Sequence, residues 1–168
     1  MMQSLEDAQE ELKRVDHQIY VSLKYTRTVD VLLNILSRML DGYEYLIQAL
    51  LKMRIDEGKT ERIPPSPIER GNLVKELFPD DQTIVDNMDL FFLLRKLFRS
   101  NPQRENEYRR NVTMRTVVEG REEIVNIDVI TNYYQFMLQF HKRVEELINN
   151  YMSGKKKGEG SSDGTSAS

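Results

Sequence analysis

Two stretches carry the side chains that could bind or transform a ligand. The first is IYVSLKYTRTVDV, residues 19–31, which packs Tyr20, Ser22, Lys24, Tyr25, Thr26, Arg27, Thr28 and Asp30 into a segment patterned as a helix. Lys24 and Arg27 are three residues apart, as are Arg27 and Asp30, so each pair shares a helix face. Two readings stay open. These charges form an exposed ion-pair network beside an apolar stripe, or Lys24 and Arg27 project into a groove and receive phosphate, with Tyr20 or Tyr25 offering a ring for stacking. The second stretch, RENEYRRNVTMRTVVEGR, residues 104–121, holds five arginines (Arg104, Arg109, Arg110, Arg115 and Arg121) against three glutamates, a local net charge of +2. That balance supports weak, strongly salt-sensitive phosphate contacts, or simply the soluble outer face of a β-ribbon. The candidate phosphate-binding set is therefore Lys24, Arg27, Arg109, Arg110 and Arg115, and it acts as a unit only if the two stretches converge.

The rest of the composition excludes more than it offers. There are no cysteines, so disulfides, thiolate nucleophiles and thiolate metal sites are ruled out. The two histidines, His17 and His141, stand in no dense metal-ligand spacing, and no paired Glu-x-x-His helices occur, so no metal site and no cofactor are expected. Asp80 and Asp81 suit a helix N-terminus better than a cation site. ERGNLVKEL contains a single glycine and matches no nucleotide-loop fingerprint. With 24 Lys plus Arg against 27 Asp plus Glu, the formal charge of −3 gives no general attraction to polyanions, and local geometry must supply any. The opening MMQSLEDAQEELKR has no basic segment followed by an apolar run, and no stretch is apolar enough to span a bilayer. A cytoplasmic setting without membrane contact is the expectation.

The elements that must position these residues are mostly helical. Between residues 5 and 57, apolar side chains recur every three or four positions from Leu5 and Ala8 through Leu36, Tyr43 and Leu50. An unbroken rod of that length would overrun a domain of this size, so a break is expected. Asp41 as a cap and Gly42 as a weak point place it between helices over 4–40 and 42–57, with a further bend around KYTRTVD. Ser66, Pro67 and Glu69 make a capping box that opens a short helix ending near Phe78. Another helix is expected over about 81–99, and a final one from Asp128, which would cap it, to Tyr151. Between them Val112, Met114, Thr116 and Val118 alternate with polar residues, Gly120 supplies a reversal, and Ile124 resumes the pattern. A two-stranded ribbon over 111–127 follows, packing Val112, Met114, Val118 and Ile124 on helices and leaving Arg110, Arg115 and Arg121 accessible. The fold class is mainly α, a bundle of about five helices with a short β-hairpin inserted before the last. Residues 1–152 form one domain, and the Ser/Gly/Lys-rich 153–168 a disordered tail.

IYVSLKYTRTVDV, together with YRRNVTMRTVV and VNIDVITNYY, is similar to an uncharacterised group of small archaeal helical proteins. The bundle architecture also resembles the HEPN class, which implies dimerisation and either RNA cutting or partnership with a small nucleotidyltransferase. That class's nuclease motif sets an arginine more than one helical turn before a histidine. Arg14 is only three residues before His17, and no arginine precedes His141 at the needed distance, so the resemblance implies a non-cutting member with no catalytic residues. The long apolar stripe points to a self-associating or partner-binding module, expected as a homodimer, since one short bundle need not cover it. RNA or nucleotide phosphate binding through a basic groove is the alternative.

Overall fold

A computed structural model describes residues 1–165, with side chains through residue 158. Helix α1 (Met2–His17) turns its Leu5, Ala8, Leu12 and Val15 face inward and continues through a single π-helical turn (Gln18–Ser22) into the short α2 (Leu23–Tyr25). The wide turn is closed by the Leu23 amide reaching back to the Gln18 carbonyl. It keeps Ile19 and Leu23 buried in line with the stripe. Thr26 and Thr28 are extended, and helix resumes as α3 (Val29–Asp56), where the Thr28 hydroxyl accepts from the Val31 amide at 3.2 Å. The break therefore falls at the KYTRTVD bend and not at Asp41–Gly42. Gly42 lies inside α3 where that helix meets the last one, and a β-carbon on it would stand 2.6 Å from Met137 Cε. A residue that reads as a weak point in the chain is a point of close packing in the fold.

Gly58 leaves α3 in the left-handed conformation (φ 75°), and the proline segment leads to α4 (Pro67–Leu77), whose Ser66 cap accepts from the Glu69 amide as the sequence anticipates. Asp81 caps α5 (Gln82–Arg99) and also receives Arg143 of the last helix at 2.7 Å. The sheet that follows is antiparallel and three-stranded in the order β1 (Gln103–Glu105), β2 (Thr113–Val118), β3 (Arg121–Val125). Glu119 and Gly120, both with positive φ, form the two-residue mirror-image turn that suits twisted hairpins. Met114 pairs with Val125 and both are buried, together with Val112. Ile124 sits opposite Arg115 on the other face, 40% exposed, so the expected inward position passes to Val125. Because side chains alternate along a strand, a shift of one residue reverses the face.

Helix α6 (Ile127–Thr165) is capped by Asn126, whose side chain accepts from the Val129 amide at 2.9 Å, and Asp128 sits in the first turn instead of at the cap. Tyr134, Met137, Phe140, Val144 and Ile148 face the core, and Tyr151 and Met152 are the last to lean on it. Side chains 153–158 are exposed on a backbone that stays helical to Thr165, and residues 166–168 of the expected tail lie outside the described residues. Among the described residues no helix is long and apolar enough to cross a membrane.

α3 is the central helix. Midway along it Tyr43 lies 5.7 Å from the Phe91 ring of α5 and 5.6 Å from the Phe140 ring of α6. Its hydroxyl donates to Asn87 Oδ1 at 2.6 Å, and Asn87 Nδ2 donates to the Thr83 carbonyl at 2.8 Å. Most of the stripe from Leu5 to Leu50 is buried within the one chain, with Leu33 and Leu40 partly so.

Tyr43→Phe keeps the ring stacking and strips Asn87 Oδ1 of its donor. Urea unfolding should show a loss of about 1–3 kcal/mol, and an unchanged midpoint would mean that the hydroxyl is dispensable. A second expectation concerns His141, whose Nε2 is buried without a hydrogen-bond partner. Burial pushes its imidazole below the ordinary value of 6.5, against a smaller opposing pull from Glu145. The unfolded chain thus takes up a proton there at higher pH than the folded one, so the stability this neutral group contributes is present above 6.5 and is lost as pH falls through it. Between about pH 7.5 and 5.5 the melting temperature should drop less in His141→Gln than in the parent.

Candidate functional site

The chain's break at Thr26–Thr28 is fastened by the loop between β1 and β2. Glu107 Oε2 accepts from the Val29 amide at 3.1 Å, at the open N-terminus of α3, and the Tyr108 amide donates to the Arg27 carbonyl at 2.6 Å. A carboxylate is favoured there because it meets unpaired amides and the positive end of the helix. Glu107 also receives Arg104 at 3.4 Å, and Arg104 binds Asp30 at 2.7 Å. The loop takes this path through two left-handed residues, Asn106 (φ 55°) and Tyr108 (φ 67°).

The clamp brings the two basic stretches together. A groove of about 680 Å³ is lined by Tyr20, Lys24 and Arg27 from the end of the first helical run, by Arg110 and Asn111 from the clamped loop, and by Asn126 and Asp128 at the start of α6. Ile19, Leu23 and Ile127 form its apolar floor. Tyr20 and Lys24, four residues apart, lie on the exposed side of the helical run while Ile19 and Leu23 turn inward, and Arg27 joins them from the extended break that follows Tyr25, so the helix face expected for Lys24 and Arg27 is not what brings them together.

Charge separates the candidates further. Lys24, Arg27 and Arg110 have no ion-pair or hydrogen-bond partner for their side chains among the described residues, and Arg27 Nε is buried with none. Arg115, by contrast, is held by Glu105 at 2.9 Å, which raises its pKa, and by Glu122 across the sheet. Arg104 is tied up in the same way by Asp30 and Glu107. Of the expected phosphate set, then, Lys24, Arg27 and Arg110 share one groove with Tyr20. Arg109, Arg115 and Tyr25 do not line it. The pattern of the sequence singles out neither Asn111, Asn126 nor Asp128. Their side chains reach the groove because the loop and the α6 start are brought beside residue 24, and only the helix-opening letters NID hint at a terminus there.

The lining of the groove defines what chemistry it offers. Three unpaired cations and the amides of a helix start suit an anion. Asp128 and the two asparagines offer acceptors and donors to hydroxyl or amine groups beside it. Neither histidine lines it. His17 lies with Arg14 and Arg38 at a separate, shallower depression, where Arg14 is engaged by the buried Glu11 at 2.7 Å. Among the described residues no group of three or more His, Cys, Asp and Glu could hold a metal ion. No family model matches this chain, and comparison with curated proteins and with solved structures finds no match either.

The clamp itself can be tested. Glu107→Ala removes the carboxylate from the α3 N-terminus and should cost about 0.5–2 kcal/mol, the usual range for loss of a capping side chain. Chemical denaturation would measure it. A loss smaller than that would show the loop to be held by the Tyr108 amide alone.

Proposed function

We propose that this protein binds the phosphate of an RNA or nucleotide in the groove formed by Lys24, Arg27 and Arg110, with Tyr20 beside it. The observation that carries the reading is the convergence of three cations from two distant stretches of sequence on one groove, each left without a side-chain partner among the described residues. Cations gathered in one concave site repel one another. An anion between them relieves that repulsion and accepts their hydrogen bonds. Catalysis is not part of the proposal: the HEPN-type spacing of arginine and histidine is absent, and neither histidine lines the groove. A cytoplasmic setting belongs to it, resting on the absence of cysteine and of any spanning helix among the described residues.

A homodimer or a protein partner is the second reading. Its support is now the outer sheet face, where Val117 is 68% exposed and Ile124 lies on the same side of β2 and β3. Sedimentation at micromolar concentration addresses it directly, and a mass of 19.8 kDa throughout would set it aside.

Lys24→Glu combined with Arg110→Glu should leave melting nearly unchanged, since neither side chain supports the fold. Filter retention of labelled RNA at low salt should fall at least about tenfold, and its dependence on salt should flatten by about two counterions. Arg115→Glu, which disturbs only the sheet's own ion pairs, should alter retention much less. Equal losses from both variants would point to diffuse charge in place of this groove.

A further inference from the structure

The groove accounts for Tyr20 but leaves unexplained two other tyrosines on the segments that form it. Tyr25, the last residue of α2, is 84% exposed, and Tyr108 is 78% exposed, more than any other large apolar side chain. Tyr25 stands two residues before Arg27 and Tyr108 two before Arg110, and the two segments are joined by the bond from the Tyr108 amide to the Arg27 carbonyl. Both rings are therefore fixed to the backbone that presents the groove's arginines. Neither takes part in an aromatic pair, and neither hydroxyl has a partner among the described residues.

Tyr108 carries a further cost. Its φ of 67° is the left-handed conformation, which asparagine and glycine adopt readily and an aromatic residue rarely does. Asn106, two residues earlier, shows the ordinary solution at φ 55°. A tyrosine held in that conformation with its ring in water gains no burial to offset the strain. The fold needs only its amide.

We propose that Tyr25 and Tyr108 form a stacking shelf for unpaired bases, so that the ligand of the groove is a single-stranded nucleic acid with its phosphates on Lys24, Arg27 and Arg110. This rests on the phosphate reading of the groove and extends it along the strand. A single strand alternates charge with open base faces, and each of the two joined segments carries an exposed ring two residues from a groove arginine. In a duplex the base faces are covered by their neighbours. A mononucleotide would engage Tyr20 and the cations but leave the outer rings unused.

The test uses the full chain and fluorescence anisotropy with labelled oligonucleotides of about ten nucleotides. Probes are a single-stranded RNA, the DNA of the same sequence, the corresponding RNA duplex, and ATP as competitor. Tyr108→Asn removes the ring while suiting the backbone, so its melting temperature should equal or exceed that of the parent, while single-strand affinity falls about 5- to 150-fold. Tyr108→Phe should bind within about twofold of the parent, because stacking needs the ring and not the hydroxyl. Equal binding of RNA and DNA would place recognition in bases and phosphates, and an RNA preference would add the 2′-hydroxyl; both agree with the shelf. Duplex binding as tight as single-strand binding would overturn it, as would full affinity in Tyr108→Asn. If that variant is unaffected while Lys24→Glu with Arg110→Glu abolishes binding, the groove stands and the shelf alone is wrong. If the parent retains no oligonucleotide at low salt, the shelf fails, and if ATP is not bound either, the phosphate reading of the groove fails with it. Should Tyr108→Asn instead dissociate a dimer with nucleic-acid affinity intact, the rings serve a protein contact and the proposal is rejected.

Discussion

The packing around the middle of α3 is the constraint on which the rest depends. Gly42 lets α6 come close enough for the Met137 methyl to occupy the space of a missing side chain, and Tyr43 beside it fills the space between α5 and α6 with a ring. The ring's one polar atom would be costly at this depth without a partner, and Asn87 supplies it. Burial also pushes the Tyr43 phenol far above its ordinary pKa, so the bond is one between neutral groups. With α5 and α6 held against the same turn of α3, the sheet that connects them in sequence has its ends fixed, and Val112, Met114 and Val125 close the core beneath it.

That arrangement decides where the first helical run must end. α1 lies against α3 and the chain has to reverse between them, so a tight bend is unavoidable somewhere between residues 17 and 29. The π turn and the Thr26–Thr28 break deliver it, and the loop from the sheet covers the exposed amides with Glu107. The groove is the by-product of this repair. Its walls are the three pieces of chain that meet at one helix end.

What the sequence revealed follows how local the determining interactions are. The start of α4 is legible because Ser66, Pro67 and Glu69 settle it among themselves, and the hairpin turn because Gly120 tolerates positive φ. The KYTRTVD bend is legible only as a second break beside the one expected at Asp41–Gly42, because what decides between them is remote: Glu107 caps Val29 across the fold, and Gly42 is packed against Met137 within a continuous helix. β1 is three residues long, too short for alternation to show, and the inward assignment of Ile124 fails because the letters from 121 to 125 fit either register until Val125 meets Met114. At the groove, the residue types of Lys24, Arg27, Arg110 and Tyr20 were readable but their convergence was not. What distinguishes Arg110 from Arg115 is the pair of strand neighbours that neutralise the latter, a matter of strand register alone.

The fastening between Arg27 and Tyr108 is made by a carbonyl and an amide, groups that every residue but proline can offer. Stability therefore places little demand on which side chains stand at either position. A chain drifting under selection for folding alone could exchange arginine there freely and would tend to replace a left-handed tyrosine with asparagine or glycine. The residues that occupy these positions are thus a more direct record of what the surface meets than any buried residue can be, since in the core the requirement to pack and the requirement to function cannot be told apart.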